Sequence, residues 1–161
     1  GDTGNCCLGV SEDGNSCCAV KFYHPGKSDC TKDDLAEREF ENWKKVYGKQ
    51  DILPMSRILP VTEGKCLVMP YLRPVPRTER LELLKKGKIE AMLKEFANSG
   101  YKHDDIKWRH VGRWTHQKHG DRLFLVDLER ITKMPVEEHD EWIKDALAKL
   151  KSTAARSARP S

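Results

Sequence analysis

Lys21, Asp105 and Asp127 lie far apart in this 161-residue chain, yet together they have side-chain types that phosphate chemistry needs. Moving a phosphoryl group calls for a cation on the phosphates and a carboxylate on a metal ion. It also calls for a group that positions the nucleophile and a cover that excludes water. Lys21 ends the run Ala19-Val20-Lys21, and a lysine inside an apolar strand must reach water or find an anionic partner. The next segment offers Glu37, Glu39 and Glu41; Glu39, four residues before Trp43, lies beside a helical apolar stripe and can face the strand. Asp127 follows the apolar run Leu123-Phe124-Leu125-Val126, at the mouth of a strand where a metal ion can reach it. Gly1-Asp2-Thr3-Gly4, then Gly9, supplies points where backbone amides can approach phosphate closely; Gly1 reads equally well as an appended residue.

The elements that must position these groups follow from pattern. Residues 5–10 and 17–23 read as strands around the turn Ser11-Glu12-Asp13-Gly14-Asn15, with Pro25-Gly26 closing the hairpin. Thr31 caps a helix with Asp33 and Asp34 in its first turn; Leu35, Phe40, Trp43, Val46 and Tyr47 form its stripe and Gly48 its stop. Residues 57–61 and 65–72 read as strands joined at Glu63-Gly64, and Pro70, Pro74 and Pro76 impose an extended connection. Helices follow at 77–86 and 88–99, the second ended by Gly100; a dense segment, 101–111, comes next. Strand-like runs at 111–115 and 123–128 flank a turn at 118–121, and a last helix spans 136–150. From Ser152 onward no apolar period is visible, so residues 152–161 read as a disordered basic tail. Strands and helices are segregated, which predicts an α+β protein of two layers or lobes, 1–72 and 73–151.

Hydrophobic residues make up 38% and charged residues 34% of the chain, a composition suited to a globular protein with a highly charged surface. No stretch approaches the roughly 18 consecutive apolar residues of a membrane helix, and no leader pattern opens the sequence. The expected location is intracellular, cytoplasmic or nuclear. The net charge of +4 suits phosphate-bearing partners without selecting nucleic acid, which is not expected as the main partner. Cys6, Cys7, Cys17, Cys18, Cys30 and Cys66 lack the C-x-x-C spacing of zinc sites, so reduced thiols are expected, one of each adjacent pair facing the core. Trp114, His116 and His119, with Arg109 and Arg113, read as a solvated turn beside a packed tryptophan rather than a base-stacking surface.

The segment His103-Asp104-Asp105-Ile106-Lys107-Trp108-Arg109-His110 resembles the catalytic loop H-R-D-L-x-x-x-N of protein kinases. The order of Lys21, an acidic helix, a hinge-like Met69-Pro70-Tyr71-Leu72, Asp105 and Asp127 is also similar to that superfamily. The resemblance implies a two-lobed protein-kinase-like fold with a small antiparallel-sheet N-lobe and a reduced helical C-lobe. It further implies ATP with Mg or Mn. Lys21 and Glu39 would form the phosphate-holding pair, with Gly4, Met69 and Tyr71 also at the nucleotide. Asp105 would position the acceptor hydroxyl, Lys107 would touch the transferred phosphate, and Asp127 would hold the metal.

Three departures qualify the match. His110 stands where the family has asparagine, which leaves three outcomes: one metal fewer, manganese in place of magnesium, or an inactive site. Leu128-Glu129 replaces Phe-Gly after the metal-binding aspartate, and Glu129 can either assist the metal or repel ATP. The short remainder after Asp127 lacks the helices that dock peptide substrates. The expected function is an ATP-dependent phosphotransferase acting on an unidentified protein or small molecule. The alternative is a pseudokinase, a nucleotide-binding or scaffolding module without catalysis; a more distant option is a nucleic-acid-associated protein.

Overall fold

The run Cys-Cys-Ala-Val-Lys-Phe-Tyr, rich in residues that fill a pleated surface, is a strand in the computed structural model, which describes residues 4–10, 17–23, 31–62, 64–116 and 120–157. The chain divides into two units, Gly1–Leu72 and Arg73–Ser161. In the first, β1 (Gly4–Val10), β2 (Cys17–Tyr23), β3 (Arg57–Val61) and β4 (Gly64–Pro70) form an antiparallel sheet in the order β1-β2-β4-β3. The inner strand β4 is buried over its last five residues, while β3 is largely exposed. Helix α1 (Lys32–Tyr47) packs against β4, β2 and β3 through a stripe that buries Leu35, Ala36, Glu39 and Trp43. Its start is sharply defined, because the Thr31 hydroxyl accepts from the Asp34 N–H at 3.2 Å and Asp34 accepts in return from the Thr31 N–H at 3.0 Å. Gly48 ends α1 in a right-handed conformation, its N–H donating to Lys44 O; a Cβ there would stand 2.4 Å from that oxygen.

The second unit joins β5 (Arg73–Pro74), a 3₁₀ turn at Arg77–Glu79, α2 (Arg80–Lys85), α3 (Lys88–Ala97), β6 (Tyr101–His103), β7 (Val111–His116), β8 (Gly120–Leu125), β9 (Ile131–Lys133) and α4 (His139–Ser157). Strands β5, β7 and β8 form one antiparallel sheet, and β6 pairs with β9 in a separate ribbon. Helix α3 packs on α4, α2 and β8, burying Ile89, Met92, Leu93, Phe96 and Ala97. Gly100 ends that region at φ +82°, in the left-handed region that a glycine adopts without strain. Four α-helices and small antiparallel sheets among the described residues make this an α+β protein. No helix there is long and apolar enough to cross a membrane.

Several sequence expectations are corrected. Residues 152–157 are helical, not a disordered tail: Ala154 continues the buried stripe of Ile143, Ala146 and Leu150, and the Ser152 and Thr153 hydroxyls donate back to Lys149 O. Cys6, Cys7 and Cys17 are exposed and Cys18 is half-buried, because β1 is an edge strand; Cys66, on inner β4, is the buried thiol among those described. The proline-rich connection contains a two-residue strand, β5, and the segment 101–111 begins with β6. The strand expected to run to Leu128 stops at Leu125. The turns at 11–15 and 25–26, together with Glu63, Cys30, His119, Gly1 and the last four residues, lie outside the described residues.

Candidate functional site

In the first unit the strand alternation sends Lys21 and Tyr23 to one face of β2, toward α1. Lys21 Nζ donates to Glu39 Oε2 at 2.8 Å, and the Tyr23 hydroxyl donates to the same oxygen at 2.6 Å. Glu39 has no exposed surface and Lys21 is 8% exposed, so the pair is withdrawn from water. The neighbouring carboxylates point elsewhere: Glu37 takes Lys65 and Glu41 takes Lys44 on the exposed side of α1. Glu39 is therefore the helix carboxylate that meets the strand lysine. Tyr23 was missed, although its position two residues after Lys21 puts it on the same strand face.

Strand register extends that face. Cys6 lies opposite Lys21, Leu8 opposite Ala19, and Val10 opposite Cys17; on the other side Leu67 pairs with Lys21 and Met69 with Ala19. Directly paired residues share one side of a sheet, so Leu8, Ala19 and Met69 form an apolar row on the Lys21 face. Leu8 and Val10 are 59% and 61% exposed, leaving uncovered apolar surface about 7 Å along the strand from the lysine row. Tyr71 follows β4 and is half-buried. Gly4 is the first residue of β1, opposite Tyr23, rather than part of a loop. Gly9 is packed so closely that a Cβ would stand 2.8 Å from Cys18 Sγ.

In the second unit, residues 103–110 alternate between core and solvent: His103, Ile106, Trp108 and His110 are buried, while Asp104, Lys107 and Arg109 are exposed. Trp108 anchors this loop to α4, its indole N–H donating to Leu150 O at 2.9 Å. Both histidines tie the loop to itself and to the chain after β8. His103 Nε2 lies 3.0 Å from Val126 O, and its Nδ1 accepts from the Asp105 N–H at 3.1 Å. A carbonyl oxygen only accepts, so the proton is on Nε2 and the ring is neutral. Burial also holds the His103 pKa below its ordinary 6.5, opposed by the Val126 carbonyl. Val126 N in turn donates to His110 O at 2.9 Å, and His110 Nδ1 lies 2.7 Å from Asp105 O. These bonds close a ring through His103, Asp105, His110 and Val126.

That ring fixes the two aspartates. Asp105 is half-buried, with Lys107 Nζ 2.7 Å from Oδ1, and the Lys107 hydrogen bond is the main reason its carboxyl pKa is lowered. Asp127 has φ +63°, left-handed backbone that costs most residues about 1–2 kcal/mol but that aspartate tolerates. The turn sends Leu128 fully into the core and sets Asp127 Oδ2 3.1 Å from His110 Nε2. Asp105, Lys107, His110 and Asp127 are thus brought together within this unit. The residues at the second hairpin are not part of the cluster: Arg113 is tied to Glu79 and lies 3.7 Å from Asp121, whereas Arg109 belongs to the 103–110 loop, its Nη2 3.8 Å from Asp105 Oδ2. The backbone of His116 ends β7, and its side chain lies outside what is described.

The neutral buried His103 gives a pH prediction. Its folded pKa is depressed, so the unfolded chain binds the proton first as pH falls below 6.5. Its contribution to stability is full above the unfolded value and is lost as pH falls toward the folded one. Thermal melts from pH 8 to 5 should show a falling midpoint, and His103→Gln should flatten that slope. An unchanged slope in the variant would contradict the assignment.

Residues 1–114 match DUF5898, described as a family of unknown function. No curated protein matches the chain.

Proposed function

We propose that this chain, which belongs to DUF5898, is an ATP-dependent phosphotransferase with a two-lobed protein-kinase-like fold, its N-lobe at residues 1–72 and its reduced C-lobe at 73–151. The observation that carries it is the buried Lys21–Glu39 pair. A buried ion pair commonly adds no net stability over well-packed apolar residues of equal volume. Its presence is explained by a task beyond packing: fixing an ammonium group beside an exposed apolar strip suits a ligand with phosphates at one end and a flat base at the other. Lys21 holds the phosphates with Glu39 behind it. Leu8, Ala19 and Met69 receive the base, with Tyr71 following, and Gly4 belongs to the cover.

Asp105 orients the acceptor hydroxyl, and Lys107 neutralises charge that develops on the transferred group. Asp127, with His110, holds Mg or Mn. When bound, that ion offsets phosphate charge and fixes the orientation of the reacting group. The acceptor is a protein or a small molecule, and the place of action is intracellular, cytoplasmic or nuclear. A second reading, a pseudokinase that binds nucleotide or scaffolds without catalysis, is favoured by Lys107 and Arg109 both lying on the Asp105 carboxylate.

Thermal melts with ATP, with and without Mg or Mn, test the proposal. Metal-dependent ATP stabilisation of about 2.7 kcal/mol is expected at a hundredfold excess over Kd, and Asp127→Asn should abolish it. No shift with any metal would sink the enzyme reading.

A further inference from the structure

Helices α2 and α3 meet at Gly87, whose φ of +68° turns the chain sharply between Lys86 and Lys88. Both lysines line a cleft of about 390 Å³ that these helices form with strands β7 and β8 of the same unit. That volume lies within the range of small-molecule sites. Register explains the mixed character of the strand wall: Arg113 on β7 pairs directly with Leu123 on β8, so one face offers a guanidinium beside an apolar side chain. On the helix wall, the buried Met92 and the exposed Ala91 of α3 add apolar surface.

The four cations of the lining are Lys86, Lys88, Arg113 and Arg122, and they are held differently. Arg113 is tied to Glu79 and lies 3.7 Å from Asp121, while Arg122 Nη2 donates to Glu95 Oε1 at 2.6 Å. Both guanidinium groups are thereby fixed, and each hydrogen bond uses only one of five N–H donors. Lys86 pairs with Glu82 in water, where an ion pair contributes little. Lys88 makes no ion pair among the described residues. Glu95 and Asp121 are the carboxylates of the lining, whereas Glu79 and Glu82 lie outside it, so the walls carry an excess of positive charge. A cleft lined in this way concentrates anions.

We propose that this cleft binds a small amphipathic anion, an oxyanion group carried on an apolar body. Lys88 takes the oxyanion, and Ala91, Met92 and Leu123 receive the body. None of the residues given nucleotide, acceptor or metal roles lines the cleft, so the site is separate from the proposed phosphotransferase centre and does not depend on it.

The test is fluorescence titration with 8-anilinonaphthalene-1-sulfonate, a sulfonate on an aromatic body, and with N-phenyl-1-naphthylamine, the same body without the charge. Wild type, Lys88→Gln, Ala91→Trp and Asp127→Asn are compared, with circular dichroism confirming that each is folded. Lys88 and Ala91 are exposed on α3, so neither change disturbs the core. Wild type should bind the sulfonate at one site, about tenfold more tightly than the uncharged analogue. Lys88→Gln should weaken the sulfonate about tenfold while leaving the analogue unchanged. Ala91→Trp fills the cleft and should abolish binding of both, and Asp127→Asn should bind as wild type does. Absence of binding to wild type would overturn the proposal. So would equal affinity for the two dyes, or binding that persists in Ala91→Trp, which would place the dye on another surface such as the Leu8–Val10 strip. Loss of binding in Asp127→Asn would place the dye at the proposed metal site and overturn the separate cleft.

Discussion

Replacing Lys21 by methionine is expected to destabilise the first unit by about 3–5 kcal/mol, the cost of leaving a buried carboxylate without its cation. Glu39 has no exposed surface, and the Tyr23 hydroxyl also donates to its Oε2. A neutral hydroxyl does not replace the lost ammonium charge, so the variant favours proton uptake by Glu39 or entry of water beside it. The double variant Lys21→Met/Glu39→Leu removes both charges at similar volume and should recover most of the loss. Urea unfolding of the three proteins measures this directly. A single variant within about 1 kcal/mol of wild type would mean that the pair is not withdrawn from water as described.

Replacing Asp105 by asparagine is expected to lower phosphoryl transfer by about 10²–10⁴-fold while leaving ATP affinity nearly unchanged. The backbone bonds that hold the loop, from the Asp105 N–H to His103 and from His110 to Asp105 O, do not involve the carboxylate. The variant should therefore keep the loop conformation and lose only the carboxylate to which the proposed function gives the acceptor. Transfer of a labelled γ-phosphoryl group, or ATP hydrolysis in its absence, is the readout. Wild-type binding of ATP with no turnover under any metal would favour the scaffolding alternative. Turnover that survives Asp105→Asn would remove this residue from the chemistry.

What the sequence disclosed depended on whether the cause was local. Thr31 and Asp34 form a cap within one turn, and the helical spacing around Trp43 placed Glu39 beside the buried stripe, so α1 and its inward carboxylate were readable. Strands β5, β6 and β9 are two or three residues long, and each exists because a distant partner supplies its hydrogen bonds. No local pattern announces such pairings. Alternation correctly separates the faces of β1 but cannot say whether anything covers them, so Cys6 and Cys7 were misjudged at a sheet edge. The extension of α4 was hidden by Ser152 and Thr153, which read as loop formers until their hydroxyls find carbonyls within the helix. The positive φ of Asp127 and its approach to His110 likewise arise only once the chain after β8 meets the loop.

Calorimetric titration of ATP with Mn²⁺ tests the proposed function most directly, because it reads nucleotide binding and its dependence on Lys21 and on Asp127 separately. One site per chain is expected in wild type. It should be weakened at least tenfold both in the refolded pair Lys21→Met/Glu39→Leu and in Asp127→Asn. ATP binding that depends on only one of these residues, or on neither, would contradict the account.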